Sequence, residues 1–319
     1  MNLEESELAQ YCSFIKKGTT GKLGSTAVEL EPEINLLEPL RDSELKNEEQ
    51  VKSTAMKIMD TYASQENYSI FFAYGECSMP SANSDTEEVY RFILAMIQPC
   101  CLEKPGITYD SPQNEFSAKK LERELGASIH SFLYPALDDL HTDIDHAIFF
   151  TKSEKTASDA EDLVMTVFNT KIPLSPSGQK RGFHDILMSA FDQQVPYDAV
   201  KNIYDHFEDK LLDAQLSGND VILSEKELTD AIIEHTDIPE EKIEEVKKTS
   251  SDFSGQKFSV ENIVPRKVSI EAGNSVIKTD LGDMYAIEKR MIDGREYYLV
   301  PAEHSVIDGI FISNSDSKL

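Results

Sequence analysis

Apolar residues in the first sixty positions recur mainly at helical spacing. In LEESELAQYCSFIKKG, Leu8, Tyr11, Cys12 and Ile15 fall on one face and Gly18 closes the run, so an amphipathic helix with a glycine C-cap is expected. STAVELEP is short and partly alternating, which predicts a strand. LLEPLRDSELKNEEQVKSTAMKIMDTYA predicts a helix broken near Asp42 and Ser43, with Val51, Ala55, Ile58 and Met59 on one face of its second part.

The period then changes. YSIFFAYGE at 68–76 and EVYRFILAMIQP at 88–99 are rich in β-branched and aromatic residues, and CSMPSANSDTE between them is turn chemistry. GITY at 106–109, SIHSFLYPA at 128–136 and DIDHAIFFT at 143–151 add further strands. From about residue 157 the helical period returns. Phe183, Ile186, Leu187, Ala190 and Phe191 form one apolar face, and Val200, Ile203, Tyr204, Phe207, Leu211 and Ala214 form the next, closed by Ser217 and Gly218. VILSEKELTDAIIEH predicts a short strand and then a helix started by Ser224 with Glu227, a capping box. PEEKIEEVKK predicts a further acidic helix.

The last 60 residues return to strands in KVSIEAG, SVIKTD, MYAIEKRMIDGREYYLV and GIFI, with Asp293–Gly294 as a type I′ hairpin signal. The order of helices, sheet, helices, sheet predicts an α+β fold: a mostly antiparallel sheet with flanking helices, then a helical region and a small C-terminal β subdomain. Two subdomains are expected, 1–155 and 156–319.

Composition narrows the setting. Against 31 Lys and Arg stand 58 Asp and Glu, a formal net charge of −27. Such a field repels phosphate backbones and disfavours coating of DNA through a general basic surface. No apolar run approaches the roughly 18 residues of a membrane span, and MNLEESELAQ lacks the basic and apolar regions of a secretory signal, so a cytoplasmic protein is expected. Cys12, Cys77, Cys100 and Cys101 show no CxxC spacing and read as reduced, partly buried thiols.

The densest chemistry lies in DDLHTDIDH, residues 138–146. On a helix His141 and His146 would stand about 140° apart and could not share an ion. On a strand His141, Asp143 and Asp145 would share one face and His146 the other. Asp138, Asp139, His141 and Asp143 are therefore the metal candidates, set against a plain solvated turn before a strand. GTTGK at 18–22 lacks the first glycine and the magnesium-binding hydroxyl of a phosphate loop, and the chain contains no H-E-x-x-H, G-x-S-x-G or dinucleotide fingerprint. No cofactor is implied. The local basic concentrations are Lys180–Arg181, Arg266–Lys267 and the hairpin residues Lys289, Arg290 and Arg295. The last group flanks Tyr297 and Tyr298, a mixture that single-strand binders use and that ordinary exposed hairpins also carry.

LRDSELKNEE at 40–49, KPGITYDSPQNEF at 104–116, LYPALDDLHTDIDHAIFFTK at 133–152, VENIVPRKVSIEAG and RMIDGREYYLVPAE together resemble the uncharacterised bacterial domain-of-unknown-function family 4317 across essentially the whole chain. That family has no established activity, so the resemblance assigns no catalytic residue. It includes Asp138–Asp139 but not His141 or His146, and its members usually carry a further segment ahead of position 1. The order of elements is also similar to that of the bacterial nucleoid-associated protein family, an analogy of pattern alone. The expected function is a non-enzymatic macromolecule-binding protein whose partner is a protein or a nucleic acid. The alternatives are a metal-dependent hydrolase using the 138–145 acidic cluster and an acidic decoy that mimics DNA. The sequence leaves the oligomeric state open.

Overall fold

A computed structural model describes residues 4–64, 67–80, 87–138, 141–218, 220–301, 305–307 and 310–312. The architecture is α+β with antiparallel pairing throughout its main sheet, and contacts divide the chain into two compact units, Met1–Ser175 and Pro176–Leu319.

In the first unit α1 (Glu5–Gly18) leads to β1 (Ala27–Leu30), α2 (Glu38–Asp42) and α3 (Glu48–Thr61). The break between α2 and α3 falls where Asp42 and Ser43 predict it, and Asn47 restarts the helix by accepting from the Gln50 amide. Two long strands follow, β2 (Tyr68–Pro80) and β3 (Glu87–Leu102), paired in register from Tyr68↔Pro99 to Pro80↔Glu87. Next come β4 (Ile107–Asp110), β5 (Glu115–Ala118), β6 (Arg123–Leu125), β7 (His130–Tyr134), β8 (Ala136–Asp138), β9 (His141–Asp143) and β10 (Ala147–Thr151), then α4 (Glu154–Ser158) and α5 (Glu161–Phe168).

The sheet order is β1-β10-β7-β3-β2, with β6 added beside the end of β3. Alternation sends Ile93, Ala95 and Ile97 of β3 to one face, where they join Phe132, Phe149, Leu40, Ile58, Leu163 and Phe168 in a buried cluster. Phe132 stacks on Phe149 at 5.2 Å and meets Phe168 edge-on at 5.3 Å. The opposite face carries Met96 and Ser131 beneath the end of α1. A β-carbon at Gly18 would stand 3.0 Å from Ser131 Oγ and 3.2 Å from Met96 Sδ, so any larger residue here would push these side chains back by a few tenths of an ångström.

Three details differ from the sequence pattern. Met59 is 60% exposed, because α3 buries the narrower stripe of Thr54 and Ile58. The run 143–151 is two elements, since a turn at Ile144 and Asp145 separates β9 from β10. None of the four cysteines forms a disulfide; Cys12, Cys77 and Cys101 are exposed, so only Cys100 matches the expectation of partial burial.

The second unit begins with α6 (Pro176–Ser189) and α7 (Tyr197–Ser217), which ends at Gly218 in the left-handed conformation, φ 71°. It continues through β11 (Ile222–Ser224), α8 (Glu225–His235), α9 (Ile243–Ser251), β12 (Lys257–Ser259) and α10 (Val260–Ile263). Phe183, Phe207 and Phe258 are fully buried here. The strands that follow are β13 (Lys267–Ala272), β14 (Ser275–Asp280), β15 (Glu288–Ile292), β16 (Arg295–Leu299), β17 (Ser305–Ile307) and β18 (Ile310–Ile312), paired as successive hairpins. Asp293 and Gly294 both take positive φ, 49° and 76°, as a type I′ turn requires. No helix among the described residues is long and apolar enough to cross a membrane.

Candidate functional site

The turn between β9 and β10 brings together the residues with the most chemical potential. Asp143 ends β9, and its Oδ1 accepts from the Asp145 amide at 3.0 Å, the side-chain bond that lets aspartate form a turn. Its other oxygen, Oδ2, stands 2.7 Å from His146 Nδ1. The His146 carbonyl accepts from the Ala136 amide, which fixes the backbone beneath the ring. Strand pairing supplies the remaining groups. Because Leu30 lies opposite Ala147 and Glu29 opposite Ile148, the carboxylates of β1 and its exit reach the histidine. Glu29 Oε1 is 3.8 Å from Nδ1, and Glu31 Oε1 is 3.7 Å from Nε2.

Glu29, Asp143 and His146 each offer one ligand atom, all within 4.8 Å of one another. An imidazole with two carboxylates suits a borderline divalent cation such as Zn²⁺ or Mn²⁺. Closing to ligand distances of about 2.0–2.2 Å requires Glu29 to swing inward. At 55% side-chain exposure it is free to do so. Burial pulls the His146 pKa down, but the hydrogen bond and charge of Asp143, with Glu29 and Glu31, outweigh it and hold the ring above its ordinary value. The three neighbouring carboxylates thus favour the protonated ring.

Of the sequence candidates, Asp143 takes part in this cluster. His141 does not: it starts β9, is exposed, and its Nδ1 lies 3.9 Å from Glu88 Oε2. The side chain of Asp138, and Asp139 as a whole, lie outside the described residues. His146, which an unbroken strand would have turned away from Asp143, is brought back by the turn. Glu29 carried no local signal, because only the β1–β10 register places it here.

The basic candidates are dispersed. Lys180 and Arg181 are exposed on α6. On the β15–β16 hairpin Lys289 pairs with Glu296 at 3.0 Å and Arg290 pairs with Glu288, so neighbouring carboxylates neutralise both. Arg295 is exposed at the turn, and Tyr298 packs edge-on against Tyr197 at 5.4 Å.

A second feature lies on the first unit. In the two-stranded hairpin β4–β5, Tyr109 pairs with Phe116 and Ile107 with Ala118, which sets these four side chains on one face. The Tyr109 and Phe116 rings lie 5.2 Å apart. Ile107 is 79% and Phe116 77% exposed, so the face meets solvent. Lys104, Lys119 and Lys120 flank its base, Lys119 paired with Glu103 at 3.0 Å.

Comparison with protein-family models matches residues 1–310 to a family described as a domain of unknown function, DUF4317. No curated protein matches the chain.

Proposed function

The chain belongs to the DUF4317 family, and from that premise we propose that it is a cytoplasmic protein-binding protein, which docks its partner through the apolar face of the β4–β5 hairpin. The observation that carries this reading is the exposure of Ile107, Tyr109 and Phe116 together on one face. An isolated two-stranded hairpin is marginal in water, and one that presents two exposed aromatic rings gains by burying them against a partner. Contiguous exposed apolar surface of this kind marks interaction sites. A protein partner accounts for it better than nucleic acid does, because the net charge of −27 opposes a polyphosphate.

A photo-crosslinking residue at position 116 is expected to capture a discrete protein that the same residue at exposed Met56 does not. The purified pair should then bind, and Tyr109→Ser with Phe116→Ser should abolish that binding. Equal capture from both positions would defeat the proposal. Salt-sensitive binding to DNA or RNA that survives the double substitution would replace the protein with a nucleic-acid partner, the nucleoid-like alternative.

A second reading, a metal-dependent hydrolase, is favoured by the convergence of Glu29, Asp143 and His146. A cation held there would act on a substrate by activating a bound water. Equilibrium dialysis against Zn²⁺ and Mn²⁺ is expected to leave one stoichiometric ion on the wild-type chain and none on Asp143→Ala. Loss of all metal on dialysis of the wild type would remove this reading.

A further inference from the structure

The first unit contains a cavity of about 450 Å³ on the sheet face beneath the end of α1, away from both features described above. Its walls combine Lys17 from the last turn of α1, Lys152 just after β10, the hydroxyls of Thr26, Ser128 and Ser131, and the ring of Phe150. Among the described residues no carboxylate lines it. In a chain of net charge −27 this is a local reversal of sign. Neither Lys17 nor Lys152 is held by an ion pair among the described residues.

Two further details bear on the surroundings of the cavity. The C-terminal end of a helix ordinarily repels negative charge. Here the Thr20 hydroxyl donates to the Lys16 carbonyl, and the Ile15 carbonyl accepts from both the amide and the hydroxyl of Thr19, so the chain itself satisfies these two carbonyls at the end of α1. Gln98, which is not itself a lining residue, is 1% exposed and neither its Oε1 nor its Nε2 has a hydrogen-bond partner. Alternation along β3 places Gln98 on the same sheet face as Met96, and the next residue, Pro99, lines the cavity. A buried amide without partners is costly, and such groups in native folds call for a specific explanation.

We propose that this cavity binds a small organic phosphomonoester. The dianion lies between Lys17 and Lys152, with a hydroxyl donor from Thr26, and the organic part rests against Phe150. Two unpaired ammonium groups match the two charges of a phosphomonoester better than the single charge of a carboxylate. The volume admits a ligand of sugar-phosphate or mononucleotide size.

Isothermal titration of the full chain with ribose 5-phosphate, AMP and inorganic phosphate, at constant ionic strength, tests the proposal. At least one organic phosphate is expected to bind more tightly than inorganic phosphate. Lys17→Gln and Lys152→Gln should each weaken it about tenfold, and the double variant should abolish binding. Both lysines are exposed, so the variants should fold, with unchanged circular dichroism as the check. Lys17→Arg with Lys152→Arg should retain binding, and Lys52→Gln on α3 should match the wild type. Failure of all three probes to bind at millimolar concentration, equal affinity in the double Gln variant, or equally tight binding of acetate would each overturn the proposal.

Discussion

His130 is 2% exposed in β7, stacked on Phe149 at 5.6 Å and edge-on to Tyr62. Burial lowers its pKa from 6.5 to about 4, only partly opposed by the charge of Asp159. The folded chain therefore holds it neutral where the unfolded chain takes up a proton, and the sign follows from that difference. Stability is fully present above about 6.5 and is lost as pH falls towards 4, by roughly 3 kcal/mol from this group. Urea denaturation across that window is expected to show the slope, and His130→Phe should flatten it. At the same scale Asp143 was visible in the sequence as part of an acidic cluster, whereas its partners were not. His146 needed the turn at 144–145, and Glu29 needed a strand pairing distant in sequence.

Helix caps were legible at the level of elements because they depend on neighbours in sequence. The Ser224–Glu227 capping box forms as the motif predicts, with the Ser224 amide donating to Glu227 Oε2 at 2.8 Å. Ser224→Ala is expected to cost about 1 kcal/mol, read as a lower denaturation midpoint with unchanged slope. The β4–β5 hairpin behaves differently. Its apolar face is exposed, so Phe116→Ser should shift stability by less than about 0.5 kcal/mol. A large loss would mean that the face is packed within the chain rather than presented to a partner. GITY read as a strand, but nothing local distinguished a covered strand from an exposed one, because exposure depends on what lies opposite the face.

On the scale of the whole molecule, Met1–Ser175 and Pro176–Leu319 each enclose buried side chains of their own. Fragments 1–175 and 176–319 are expected to unfold cooperatively when made separately, as calorimetry would show. Phe149→Ala removes a ring stacked on both Phe132 and His130 and should destabilise fragment 1–175 by about 3–5 kcal/mol. Helices α4 and α5 show why the division depends on packing. They follow the sheet in sequence, where the pattern turns helical, yet Leu163, Val167 and Phe168 complete the buried cluster of the first unit. The α+β class, most element positions, the Ser224 and Gly218 caps, the hairpin turn at Asp293–Gly294 and the acidic character can be read from the chain alone, since each depends on periodicity, local hydrogen bonding or composition. Tertiary structure alone decided that Glu29 meets His146, that a lysine-lined cavity opens beneath α1, and that the Tyr109–Phe116 face is left uncovered. These follow from strand register and from how helices cover a sheet, which are relations between residues far apart in the chain.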